Sequence, residues 1–207
     1  MITDNFDKIA EILKFDKPDD FYFLQIIQRK KDGCNVSDSS NNGYRTIKSY
    51  YISSVDDLMR RKEKIVELCQ SNNARAYINL NRRNAKDVAL VAAKTYIDLV
   101  RENRCHQGFR VWDHCCGITR SNKAQKYWIV DVDTKNTKEL HEAVKLIDSC
   151  QSSNQHGLFG EYDNVRYIIP TPNGIHLITT PFDPRELNGK YEIKKDNPTV
   201  LYYDDLA

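Results

Sequence analysis

Between residues 127 and 136 the chain reads YWIVDVDTKN, a run whose two carboxylates could do chemistry together. A short apolar stretch of this kind reads as a strand, and alternate side chains of a strand share a face. Trp128, Val130 and Val132 then point into a core, while Ile129, Asp131 and Asp133 point the other way. Residues two apart on a strand lie about 6.5–7 Å apart, so their carboxylates can lean together over divalent ions. Such a pair suits two-metal phosphoryl transfer, in which ions about 3.5–4 Å apart clamp the attacking and leaving oxygens. The plainer reading is two solvated aspartates leading into a turn. If no cation sits between them, the two charges repel by about 1 kcal/mol or more. An Asp→Asn change would then preserve or raise stability.

The second run is IPTPNGIHLITTPFD, residues 169–183. Ile175, Leu177 and Thr179 alternate with His176 and Ile178, which fixes the imidazole on one strand face. Gly174, just before it, is expected to leave room for a ligand to approach. A lone strand histidine is more often a packing residue. The DxD about 40 residues upstream gives this one a second meaning.

The elements that must position these residues follow from periodicity. Residues 4–14 read as a short helix with Phe6, Ile9, Ile12 and Leu13 on one face, and Phe21–Ile27 as an apolar strand. A polar loop, 35–43, leads to a strand at Tyr44–Ile52. Ser54, with Asp57 three residues on, opens a helix whose apolar period is interrupted at Lys62, and Arg75–Leu80 is a strand. Asn84 caps a long helix to about Glu102. The second half is expected to hold strands around Phe109–Asp113 and at Tyr127–Asp133. A helix opened by Asn136 and Glu139 follows, then strands at Val165–Ile169, Gly174–Thr179 and Thr199–Tyr203. This is an α+β chain of two packed α/β subdomains. Residues 1–105 form one (ββαβα). Residues 106–207 form the other, an antiparallel sheet backed by a helix, as in RNA-recognition (RRM-like) modules, which carries the DxD and the histidine.

Taken together, Val130-Asp131-Val132-Asp133 and Gly174-Ile175-His176 resemble the archaeo-eukaryotic primase superfamily, including its primase–polymerases. The segment RAYINLNRRNAKDVALVAAKTY is similar to that family's N-terminal half. The resemblance spans roughly residues 75–205. It implies a primase-like catalytic core that makes or extends primers on single-stranded template, with Asp131 and Asp133 as metal ligands and His176 facing the nucleotide phosphates. It also implies two Mg2+ or Mn2+ ions and a third acid after the histidine strand, for which Glu192 and Asp196 fit the order. Nucleoside triphosphates are the implied substrates, a helicase or other replication protein the implied partner, and a phage or mobile element the implied setting. The strand NPTVLYY departs from the family pattern, lacking the arginine and Pro-Gly expected after that acid. Lys194 and Lys195, as point charges, together with Asn173, are expected at the triphosphate, and the forked guanidiniums of Arg82 and Arg83 at the template.

Bulk composition narrows the alternatives. Of 207 residues, 31 are basic and 29 acidic, which excludes a histone-like coat that binds by mass neutralisation. Basic clusters at Arg29-Lys30-Lys31 and Arg60-Arg61-Lys62 read first as solvated faces. No apolar run reaches the ~20 residues of a membrane span, and MITDNFDKIAEILKFD is too acidic for a secretory signal. A cytoplasmic protein with reduced thiols is expected. Cys105-His106 and His114-Cys115-Cys116 lack paired zinc-ligand spacing, so free thiols and no zinc are expected.

Two other readings compete. A non-catalytic single-strand-binding module of the same ancestry would stack bases on Tyr50, Tyr51, Tyr127, Tyr202 and Tyr203. A histidine nuclease needs a second nearby histidine, which the His176 strand lacks.

Overall fold

The computed structural model describes residues 2–33, 43–119, 125–150, 164–187 and 189–205. It is a mixed α+β structure with two antiparallel sheets and, among the described residues, six α-helices. In chain order the first elements are β1 (Ile2–Asp4), α1 (Phe6–Ile12), β2 (Asp20–Arg29) and β3 (Tyr44–Ile52). Next come α2 (Val55–Arg60), α3 (Lys62–Ser71), β4 (Arg75–Ile78), β5 (Arg83–Asn84), α4 (Ala85–Arg101) and α5 (Val111–Ile118). The rest are β6 (Trp128–Val132), α6 (Thr137–Ser149), β7 (Val165–Pro170), β8 (Ile175–Thr179), β9 (Glu192–Lys194) and β10 (Thr199–Asp204).

The larger sheet runs β1-β10-β4-β2-β3, with β5 on β2, and the smaller runs β7-β8-β6-β9. The chain crosses the division expected at residue 105 twice. Helix α5 packs with α4 and β2 through Val111, Cys115, Cys116, Val88, Phe21 and Phe23, and β10 returns to lie between β1 and β4. The polar loop expected at 35–43 falls almost wholly outside the described residues.

Three helix starts follow their caps. Ser54 Oγ accepts from the Asp57 amide at 3.0 Å, Asn84 Oδ1 from the amides of Lys86 and Asp87, and Asn136 Oδ1 from that of Lys138. The interruption at Lys62 is a break at Arg61 between α2 and α3. The strand expected near Phe109–Asp113 is instead a 3-10 turn over Cys105–Arg110 followed by α5. Val111, Cys115 and Cys116 are spaced to share one helical face, and burying that face decides the matter over a brief alternation. Cys105 is an exposed free thiol, while Cys115 and Cys116 are buried ones.

Strands β6 and β8 are apolar on both faces for different reasons. On one face Val130, Val132 and Leu177 meet Ala143 and Ile147 of α6. On the other, Ile129 and Ile178 join Leu24, Ile78 and Leu201 of the larger sheet in one core. The two sheets therefore share a seam, and Asp131 and His176 lie on the seam side of their strands. No helix among the described residues is long and apolar enough to cross a membrane.

Candidate active site

The pairing of three strands builds the site. Asp131 on β6 stands opposite His176 on β8 and opposite Glu192 on β9, so the three form one row across the sheet. Side chains directly opposite on antiparallel strands share a face. Glu192 carries this row into solvent, with its side chain 69% exposed, whereas Asp131 and His176 are mostly enclosed. Asp133 follows the end of β6 and is exposed.

His176 Nε2 lies 3.5 Å from Asp131 Oδ1, and Nδ1 is 2.8 Å from Thr199 Oγ1 of β10. With Nε2 carrying its proton toward the carboxylate, Nδ1 accepts from the threonine hydroxyl. The ring is thus tethered to the larger sheet at one nitrogen and aimed at the acid with the other. Asp131 Oδ2 accepts from Lys194 Nζ at 2.5 Å, and the same ammonium is 3.3 Å from Glu192. The imidazole and the ammonium outweigh burial and hold Asp131 down to about 2. Lys194, although burial opposes its charge, is raised by its bond to Asp131.

This arrangement makes a pH prediction for the metal-free protein. A carboxyl held at about 2, well below its ordinary 3.8, contributes stability present above its ordinary range and lost as pH falls through about 2. The size is about 2 kcal/mol. Denaturant titrations in chelator, from neutral pH down to that range, should show the wild type losing this margin over Asp131→Asn. An equal margin at both ends would contradict the contact.

The segment between β4 and β5 ties down the chain just before β6 and just after β9. Asn81 Nδ2 donates to Tyr127 O at 3.0 Å and to Asp196 Oδ1 at 2.9 Å, while its Oδ1 accepts from the Tyr127 amide. Asn79 Nδ2 donates to Asp196 O. Asp196 is therefore engaged with this structural pair and with Arg83 at 3.4 Å, not with the Asp131 row. Arg83 is fully buried, donating to the carbonyls of Cys116, Asn81 and Gly117, and Arg82 turns inward to Lys14 O and Asp16. Neither guanidinium is presented as a template contact, contrary to expectation. Arg82 ties the segment after α1, and Arg83 the end of α5, to the chain at β5.

Lys194 and Lys195 also part company. Successive strand residues face opposite ways, and Lys195 Nζ sits 4.7 Å over the Trp128 ring on the other side. Only Lys194 faces the row. Asn173 is exposed in the turn before β8. Gly174 does not leave room for a ligand. A Cβ there would stand 2.1 Å from Val132 O and 2.8 Å from Thr134 N, so the space belongs to the end of β6. Of the five tyrosines considered for stacking, Tyr50, Tyr127, Tyr202 and Tyr203 are buried; Tyr51 is half-exposed and donates to Asp113.

Among the described residues no three His, Cys, Asp or Glu side chains stand close enough together to hold a metal ion as placed. The cation between Asp131 and Glu192 is Lys194. Asp131, Asp133 and Glu192 are nonetheless the residues that could hold a hard divalent ion, because carboxylate oxygens suit Mg2+ and Mn2+. Lys194 would have to withdraw. Thr199 and Lys194 as partners of His176 and Asp131 escaped sequence reasoning. For Lys194 the signal was there, since its two-residue offset from Glu192 puts both on one strand face. Comparison with known protein families, with curated proteins and with solved structures finds no match.

Proposed function

We propose that this chain is a metal-dependent nucleotidyltransferase of the primase or primase–polymerase type, working in the cytoplasm on nucleoside triphosphates and a single-stranded template. The observation that carries this reading is the row His176–Asp131–Glu192 across three adjacent strands, with Asp133 two residues beyond. The strand order β7-β8-β6-β9, with α6 between β6 and β7, supports the RRM-like reading of the smaller sheet. Glu192 suits the third acid better than Asp196, because it shares Asp131's face and its carboxylate is open to solvent.

Asp131, Asp133 and Glu192 would hold Mg2+ or Mn2+. The bound ions would supply activation of the attacking hydroxyl and charge stabilisation at the leaving pyrophosphate. His176, fixed by Thr199, would donate to a phosphate oxygen rather than act as general base. Lys194, displaced from Asp131, remains within reach as a point charge for the triphosphate. A helicase or other replication protein is the natural partner class for such a core, in a phage or mobile element.

The test is primer extension and de novo synthesis on single-stranded templates, with either nucleotide type and either metal. Incorporation by the wild type supports the reading. Single-strand binding without incorporation, retained equally by Asp131→Asn/Asp133→Asn, would replace it with the binding-module reading. With four of the five tyrosines buried, that reading has little displayed surface for stacking.

A further inference from the structure

Helix α4 buries one side and leaves a second apolar side uncovered. Val88, with Val91, Ala92 and Leu99, packs on the cluster containing Phe21 and Phe23. Opposite them, Leu90 is 64% exposed, Ile97 52% and Val100 48%, and Ala93 is exposed between them. The spacing 90, 93, 97, 100 is the alternating three-and-four of a coiled-coil seam, not the scatter of single surface apolar residues. Tyr96 flanks the seam, and Gly108 packs on its ring, next in sequence to Phe109, which is 96% exposed.

We propose that this face pairs with the same face of a second copy of the chain, the two α4 helices antiparallel about a two-fold axis near Thr95. The spacing is palindromic about that residue, as a self-complementary interface requires. Antiparallel pairing sets Leu90 against Val100 of the copy and the small Ala93 against the large Ile97, so each layer joins unequal side chains. It also brings Asp87 of one copy beside Arg101 of the other, twice. Parallel pairing would stack Ala93 on Ala93, leave a gap, and give Asp87 no partner. The cost lies near the axis, where Lys94 approaches its own copy with Asp98 one turn on. Lys86 and Arg104 end the seam on long stems that can reach solvent. Four layers on one helix make a small interface, below the ~800 Å² per partner of a standard one. The dimer is therefore reversible.

Sedimentation velocity from low to high micromolar concentration should show the wild type moving from monomer to a species of twice its mass. Ile97→Asp should weaken that association at least tenfold without lowering the melting temperature, since the residue is exposed in the monomer. Asp87→Arg and Arg101→Asp should each weaken it, and the double reversal should restore it. A wild type that stays monomeric throughout overturns the proposal, and so does a dimer indifferent to Ile97→Asp. Failure of the double reversal to restore association overturns the antiparallel pairing. None of these outcomes depends on nucleotide incorporation.

Discussion

Asp131→Asn should lower nucleotide incorporation by at least ~10³-fold, the scale of the several kcal/mol that metal-borne charge stabilisation supplies. The substitution keeps the side chain's shape and removes the charge that faces His176 and Lys194. Repulsion between two uncompensated carboxylates, expected from sequence, would make the change preserve or raise stability. Lys194 reverses that sign. With an ammonium 2.5 Å from Asp131 and 3.3 Å from Glu192, the acids are already compensated, and the Asn leaves Lys194 half-buried with one acid fewer. A modest loss of stability at neutral pH is expected, with the fold and single-strand binding intact. Circular dichroism, strand binding and incorporation measured together separate loss of chemistry from loss of structure. Incorporation within tenfold of wild type would remove Asp131 from the chemistry.

Gly174→Ala should give a large stability loss for a single methyl group. Its Cβ would fall 2.1 Å from Val132 O, 2.8 Å from Thr134 N and 3.1 Å from Asp133 Cα. All three are backbone atoms at the end of a strand held by β8 on one side and β9 on the other, so no flexible side chain can give way. Overpacking of this kind costs ~3 kcal/mol. For a chain of this length that is about 6–12 °C in Tm. Incorporation should fall as well, because the β6–β8 register is what sets His176 opposite Asp131. Gly117→Ala is the control: nothing lies within 4 Å of its Cβ position, and it sits inside α5, where alanine is the better helix former. An unchanged Tm for Gly174→Ala would mean that the turn before β8 shifts freely enough to admit the methyl group.

Strand alternation made the placement of Asp131 and His176 legible, since each needed only its own neighbours to choose a face. Capping residues did the same for the starts of α2, α4 and α6. Less visible were features set by partners far away in sequence. Thr199 reaches His176 from the other sheet, and Asp196 is taken by Asn81 and Arg83 from more than a hundred residues upstream. Arg82 and Arg83 look like a displayed basic pair in sequence, yet the carbonyls that receive Arg83 come from α5 and its own strand end. Helix α5 stands where a strand is expected, because five residues can satisfy both periods and only the tertiary core chooses between them. The return of β10 into the larger sheet has no local signal at all.

In the proposed site, Asp131, Asp133 and Glu192 accept a divalent ion in exchange for Lys194. Calorimetric titration of Mn2+ into the wild type, Asp131→Asn and Lys194→Met tests this most directly. Saturable uptake is expected in the wild type, loss of it in Asp131→Asn, and tighter uptake in Lys194→Met, where no resident ammonium competes. Absence of saturable uptake in the wild type, or equal uptake in wild type and Asp131→Asn, would contradict it.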